Sequence, residues 1–332
     1  MSIPWVVSRP EIKVLDCTVR DGGLINNHQF DDAVVRAVYE ACVAASIDYM
    51  EIGYKNSSRI FSVDENGYWK FCHEDDIRRI VDDNPSEMKL ACMIDAGKSD
   101  WKTDVLPKDK SVLDLIRVAF YDYQIDEAVD MIQDAYQKGY EVSANLMAVT
   151  NVDEVNLDRV LEILIKTPAS TIVVVDSYGA LLPEQTKYLT KKYLRFAQLA
   201  DKIVGIHAHN NQQLAFANSI EAIRNGAIRV DATIGGLGRG AGNCPMELLL
   251  GYLHNPKYKL RPIYQCMEEQ FLELQRKIEW GPFPEFIMTG QFNQHPRAAI
   301  QVREGEKRDH YTEFFDMLLK EQESEVTEEA KR

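Results

Sequence analysis

The chain has 332 residues, with 38 basic against 52 acidic side chains and a formal net charge of −14. That balance argues against nucleic acid and anionic membrane surfaces as default partners. A 45% apolar content excludes a disordered chain.

Reading from the start, residues 1–10 lack the charged flank and apolar centre of a signal peptide. No apolar run reaches the roughly 18 residues that a membrane helix needs. Short β-rich runs then recur at 12–17, 48–53, 89–94, 115–120, 141–146, 171–176, 202–207 and 229–234. Several are almost continuously apolar, as in Ile172-Val173-Val174-Val175, the pattern of a strand covered on both faces. Amphipathic segments alternate with them. Asp31 and Asp32 are placed to cap a helix running to about residue 46. Residues 124–138 carry an apolar stripe that stops at Gly139, and 153–166, 184–200 and 211–225 follow. Pro183 suits a first helical turn and Gly226 a helix end.

Eight strand–helix units at a spacing of roughly 30 residues predict a (β/α)8 TIM barrel. A doubly wound sheet is less favoured, because Arg-Asp-Gly-Gly after the first strand is no nucleotide fingerprint. The catalytic barrel is expected over residues 1–255, followed by a C-terminal helical extension at 256–320 that reads as a cap or lid. Its last helix is expected at 311–320, and the charged tail 321–332 is expected to fray. The six cysteines (17, 42, 72, 92, 244, 266) form no CxxC pair and read as reduced thiols in a cytoplasmic protein.

Barrel active sites lie at the carboxyl ends of the strands. There the sequence places Arg20 and Asp21 in DCTVRDGG, His207 and His209 in GIHAHNN, and Asn243 at the end of GGLGRGAGN. Closure puts strand 8 between strands 7 and 1, so the three motifs meet on one rim. His207 and His209, two apart on extended backbone, face the same way. With Asp21 they form a two-histidine, one-carboxylate set that leaves coordination positions open, and Asn243 adds a neutral oxygen. Ligand hardness favours Mn²⁺ or Mg²⁺, with Zn²⁺, Co²⁺ and Fe²⁺ open. Arg20 suits a substrate carboxylate or enolate through its planar fork. Ser177 offers a hydroxyl to a substrate carboxylate, and Glu51 reads as a substrate-side or anchoring acid near Arg20. The glycine-rich loop 235–242 reads as close packing that brings Asn243 inward, with an anion-binding nest as the rival.

These three motifs resemble the DRE-TIM metallolyases, most closely their 4-hydroxy-2-oxovalerate aldolase branch, over roughly residues 12–255. The resemblance implies a hydroxymethylglutaryl-CoA-lyase-like barrel with Asp21, His207 and His209 as metal ligands and Asn243 at or beside the metal. It implies that Arg20 holds the 2-oxo acid and Ser177 touches its carboxylate. The activity it implies is cleavage of a 4-hydroxy-2-oxo acid to pyruvate and an aldehyde through a metal-bound enolate, with a small anionic 2-oxo acid as partner. Two departures stand out. The aldolases place a histidine three residues after the metal aspartate, where this chain has Leu24, so a metal-bound hydroxide, His28, or His295 of the C-terminal extension is left to move protons, His295 also being placed to touch substrate. The C-terminal part also differs from the domain that docks a dehydrogenase in those aldolases, so no dehydrogenase partner is assumed; a homo-oligomer is left open. An acyl-CoA-dependent Claisen-type enzyme and a non-catalytic ligand-binding barrel are the alternatives.

Overall fold

The computed structural model describes residues 8–329. Residues 1–7 and 330–332, part of the segment read above for a signal peptide and the end of the charged tail, lie outside the described residues. Eight parallel strands close into one barrel in sequence order: β1 (Lys13–Asp16), β2 (Tyr49–Tyr54), β3 (Lys89–Asp95), β4 (Leu115–Phe120), β5 (Glu141–Leu146), β6 (Thr171–Asp176), β7 (Ile203–Ala208) and β8 (Arg229–Ala232). The closing pair is β1 with β8, in register from Lys13 against Arg229 to Asp16 against Ala232. Strand 8 therefore does lie between strands 7 and 1.

Helices cover the outside because each strand is apolar toward them. The helix Asp32–Ala44 buries Val35, Val38 and Cys42, with Asp31 in extended backbone as its N-cap. Glu154–Leu164 starts where the Asp153 carboxylate accepts from the backbone N–H groups of Val155 and Asn156. Pro183 opens Pro183–Ala197, which then tightens into a 3-10 turn at Gln198–Ala200. The helix after β7 is shorter than its periodicity suggested, spanning Ala215–Arg224. Its expected first turn is occupied otherwise. Asn210 Oδ1 accepts from the N–H of Ala215, and Asn211 Nδ2 reaches across to the carbonyl of Phe286.

The C-terminal part does two different things. Leu260–Cys266 lies along the barrel flank against Asp32–Ala44, not over the rim. It is tied there by Lys259 N–H to the Ala45 carbonyl (3.1 Å) and by the Tyr258 hydroxyl to the Ile12 carbonyl (2.9 Å). Its apolar residues Ile263 and Cys266 need that flank. Only the later helices, Pro284–Gln291 and Arg297–Glu304, approach the carboxyl rim, where Phe286 packs on Ala241. The last helix continues past the expected end and spans Tyr311–Glu329, burying its own Phe314 and Leu318 against Phe286 and Ala299. Among the described residues no helix is long and apolar enough to cross a membrane.

Between barrel and flank sits Asp16, fully buried and accepting from the Thr18 hydroxyl. Burial pushes its carboxyl up to about 7, against the hydrogen bonds from Thr18 that pull it down. A raised folded-state value means stability present below the unfolded pKa and lost as pH rises through the folded one. Unfolding free energy should therefore fall between about pH 4 and pH 7, on this group's account, by an order of 1–4 kcal/mol. In Asp16→Asn that slope should be absent in urea titrations at stepped pH; an unaltered slope would show that Asp16 is not its source.

Candidate active site at the carboxyl end of the barrel

The site is built from the chain reversal after β1. The segment Thr18–Gly22 is one buried helical turn, stapled to the β8 loop by Ile234 N–H donating to Thr18 Oγ1 (2.9 Å). That turn aims Arg20 and Asp21 into the barrel mouth. From β7 and the residue after it, His207 and His209 arrive on the same side, with ring centroids 5.1 Å apart. Asp21 Oδ2 lies 3.5 Å from His207 Nε2 and 3.8 Å from His209 Nε2. The ligand atoms of these three residues all lie within 4.8 Å of one another.

Asn243 closes the group. It pairs by an isolated bridge with His209, it is buried, and both its side-chain atoms lack a hydrogen-bond partner. The glycines of the loop make this approach possible. A Cβ on Gly238 would stand 2.1 Å from Asn243 Nδ2 and 2.9 Å from Asp21 Oδ1. Gly242, at φ +86°, would place one 2.0 Å from the Gly236 carbonyl oxygen. The loop is thus held by close packing, as its composition suggested.

A ring of alternating charge surrounds the site. Arg20 donates to Asp21 and, through Nε, to Glu51 Oε2 at 2.6 Å. Glu51 Oε2 also accepts from Arg117 Nη1 at 2.9 Å. Arg117 continues to Asp231, and Asp231 Oδ2 lies 3.0 Å from His207 Nδ1. His207 then faces Asp21 again. All six are essentially excluded from solvent. The ring sets the protonation states. Burial works against charge on Asp21, but Arg20 and the two histidines outweigh it and hold the carboxyl well below its usual range. Burial, reinforced by Arg239, holds His209 well below the usual imidazole value. Burial also opposes a proton on His207, yet Asp21 and Asp231 overcome it and raise its pKa. Asp231 itself is brought down to about 2; burial would raise it, and Arg117 more than compensates.

The donor set fits a divalent cation. Asp21 is ionised and His209 neutral, the forms that ligate. His207 Nε2 and Asn243 Oδ1 are buried without hydrogen-bond partners. Asp231 holds the opposite nitrogen of His207, an arrangement that orients a ligating imidazole. The Cys17 thiol, 3.9 Å from His207 Nδ1, is part of a second group with His207 and Asp231. There Nδ1 is already engaged by Asp231 and the thiol is held protonated by burial, so the Asp21 side is the better cation site.

A small cavity of about 60 Å³ adjoins these residues. On its wall stand Arg20, Asp21, His207, His209 and Ser177, as the sequence predicted. Ser177 Oγ is engaged, accepting from the N–H of Ala148 at 2.8 Å. Besides Asn243, three predicted residues do not reach the wall. Glu51 is fully buried between Arg20 and Arg117, so it anchors Arg20 instead of touching substrate. His28 lies one layer back, edge-on to Tyr54 with ring centroids 5.3 Å apart. Burial, with Lys70 and Arg20 adding to it, holds its imidazole well below the usual value. His295 sits above Tyr178 (5.6 Å between centroids), and its Nδ1 accepts from the N–H of Arg297. Burial and nearby cations bring it to about 4. The sequence reading missed Arg117, Asp231, Tyr54 and Arg239. For the first two a signal existed: a charge in the middle of an apolar strand, as in LIRVAF and RVDA, survives burial only when paired.

Comparison with known proteins gives this chain a family and relatives of the same fold. Residues 11–267 match the profile of the HMGL-like family. A 4-hydroxy-2-oxovalerate aldolase of Bacillus cereus is 28% identical over 264 residues, covering 79% of this chain and 75% of that one. An oxaloacetate decarboxylase of Mycobacterium tuberculosis is 33% identical over 242 residues, covering 72% of this chain and 69% of that one. The crystal structure of the N-terminal domain of a Bacteroides vulgatus protein, provisionally named an aldolase, superposes with a TM-score of 0.73. It is 29% identical and covers 89% of this chain and 97% of that one.

Removing one member of the charge ring strands its neighbours. Arg117→Met leaves Glu51 without one of its two partners and Asp231 without its guanidinium, and should cost about 3–5 kcal/mol in urea unfolding. An unchanged midpoint and slope would show that the ring does not stabilise the barrel.

Proposed function

The chain belongs to the HMGL-like family, and on that footing we propose that it is a divalent-metal-dependent aldolase that cleaves a 4-hydroxy-2-oxo acid to pyruvate and an aldehyde. The observation that carries this reading is the convergence of Asp21, His207 and His209 beside the Arg20 guanidinium on one small cavity. The named aldolase relative supports it. Asp21, His207 and His209, with Asn243 beside them, are the residues to hold the ion, with Mn²⁺ or Mg²⁺ favoured. When bound, such an ion supplies Lewis-acid stabilisation of negative charge on the 2-oxo oxygen.

The protein's own groups do the rest. Arg20 keeps one guanidinium nitrogen, Nη2, without a partner. It is preorganised by Asp21 and Glu51 to hold the developing enolate oxygen or the carboxylate. Ser177 stands on the same wall for the carboxylate. The C4 hydroxyl must lose a proton as the C3–C4 bond breaks, and C3 of the pyruvate enolate must gain one. Leu24 occupies the wall with Met93, Ala119 and Met147, none of which carries a proton. Tyr54 is the protic group next to that patch, and His28 lies edge-on behind it. We assign proton movement to this pair, with neutral His28 as the base. All six cysteines are buried and unpaired, which suits a reducing cytoplasm.

One observation favours a second reading. A carboxylate against the Leu24, Met93, Ala119 and Met147 wall is poorly solvated, and departure as neutral CO2 relieves that cost. Decarboxylation of oxaloacetate also needs no hydroxyl proton removed, and the decarboxylase relative is similar over 72% of the chain.

The test is a pyruvate-release screen over 4-hydroxy-2-oxo acids and oxaloacetate, with acyl-CoA consumption as the control for Claisen chemistry. Release from a 4-hydroxy-2-oxo acid is expected, and His207→Ala should lose bound metal and activity together with the fold intact. Arg20→Lys should lose roughly 2–4 kcal/mol of transition-state stabilisation in kcat as well as kcat/KM. A raised KM with normal kcat would restrict Arg20 to binding. For the proton path, His28→Gln and Tyr54→Phe should each lose about 10²–10⁴-fold in kcat. A base must be neutral to act, so the wild-type acid limb should lie below the usual imidazole range and vanish in His28→Gln. A full bell-shaped profile in that variant would remove His28.

A further inference from the structure

Arg239, in the loop after β8, is the cation that the mechanism above does not use. Its backbone N–H donates to Asp21 Oδ1 at 3.0 Å, which fixes it at the edge of the metal group. Its side chain reaches over to β6, where Nη2 donates to the Ser177 carbonyl at 2.5 Å. Its Nε is buried with no partner. Among the described residues no carboxylate forms an ion pair with it. The three fully buried guanidiniums each have one: Arg20 has Asp21 and Glu51, Arg117 has Glu51 and Asp231, and Arg229 has Glu141. A half-buried guanidinium satisfied by one carbonyl is an incomplete arrangement, because its planar fork is built for an anion.

Its position says which anion. Arg239 and Leu24 stand on the wall of the 60 Å³ cavity and also on that of an outer cavity of about 630 Å³. The inner space has room for about two waters, no more than the reacting end of a 2-oxo acid needs. A longer substrate extends from there toward the outer cavity, and Leu24 and Arg239 are the residues that the two cavities share. That outer cavity is lined by four cations, Arg239, Lys277, Arg303 and Arg308, against two carboxylates, Glu279 and Glu304, on a chain whose net charge is −14. The C1 carboxylate and the 2-oxo group are already provided for by the metal group, Arg20 and Ser177. One guanidinium is left over, so one anionic group is missing.

We propose that Arg239 is a specificity-determining residue that binds a second anionic group on the substrate, a carboxylate remote from C1. The preferred substrates are then dianionic 4-hydroxy-2-oxo acids. This rests on the aldolase reading for the word substrate, but the recognition itself is testable by binding alone.

The experiment is isothermal titration of the Mn²⁺-loaded protein with 2-oxoglutarate and 2-oxopentanoate. The two have the same five-carbon 2-oxo acid chain and differ only in a terminal carboxylate or methyl. Wild type should bind 2-oxoglutarate about tenfold or more tightly, with a preference that shrinks as salt is raised. Arg239→Met should collapse that ratio to about one, and Arg239→Lys should keep part of it. Equal affinities in wild type, or no binding of either, overturn the proposal without need of any variant. If Arg239→Met weakens both ligands by the same factor, the guanidinium serves the C1 carboxylate and the proposal also fails. Failure of the aldolase reading would appear instead as absent pyruvate release, with the binding preference intact.

Discussion

The closed circuit Asp21–Arg20–Glu51–Arg117–Asp231–His207 is the constraint on which the site depends. Taking six ionisable groups out of water is costly, and their mutual attraction offsets that cost only if every member stays in place. The circuit draws on β2, β4, β7, β8 and the turn after β1, so barrel closure and site assembly are one event. It also carries three carboxylates against two guanidiniums. With His207 neutral, as a ligating imidazole must be, the remaining negative charge calls for a positive one at the open corner, where His207, His209 and Asp21 meet. Structure, protonation state and cation affinity are in this sense a single electrostatic problem.

The circuit explains why apolar material is distributed as it is. Below it, Leu15, Tyr49, Ala91 and Leu115 fill the barrel interior. Above it, Tyr54, Met93 and Ala119, with Leu24 and Met147 against them, form a small apolar patch at the mouth. Between the two the interior is ionic where a barrel of this kind is ordinarily packed with branched side chains. The outer shell of helices carries the main hydrophobic cluster and most of the burial. The barrel can therefore keep a charged centre without giving up its stability, because the apolar layer that stabilises it lies on the other side of the strands.

Much of this was legible in the chain. Strand positions followed from short apolar runs, since a parallel strand buried on both faces has no polar alternation to confuse it. β4, β5 and β6 begin and end where those runs do. The His207–His209 spacing sufficed to put both rings on one side. The helix after β7 was overestimated because Asn210 and Asn211 look compatible with a first turn. Their side chains are instead used for a turn and for holding Phe286, contacts made with residues 5 and 75 positions away. The flank-hugging course of Leu260–Cys266 was likewise hidden, because an apolar helical face does not say which surface it covers.

The sequence by itself determined the eightfold alternation, the rim on which the motifs meet, and the residue types able to ligate a metal. Those are consequences of periodicity and strand direction, which are local. Only the tertiary structure decided that Glu51 anchors Arg20, that His28 stands behind Tyr54, and that Arg117 and Asp231 complete the charge circuit. It alone set Arg239 across the mouth with no carboxylate to hold among the described residues. Those assignments depend on which buried charges end up within hydrogen-bond reach of one another, and that is fixed by barrel closure between residues as far apart as 114 and 218 positions.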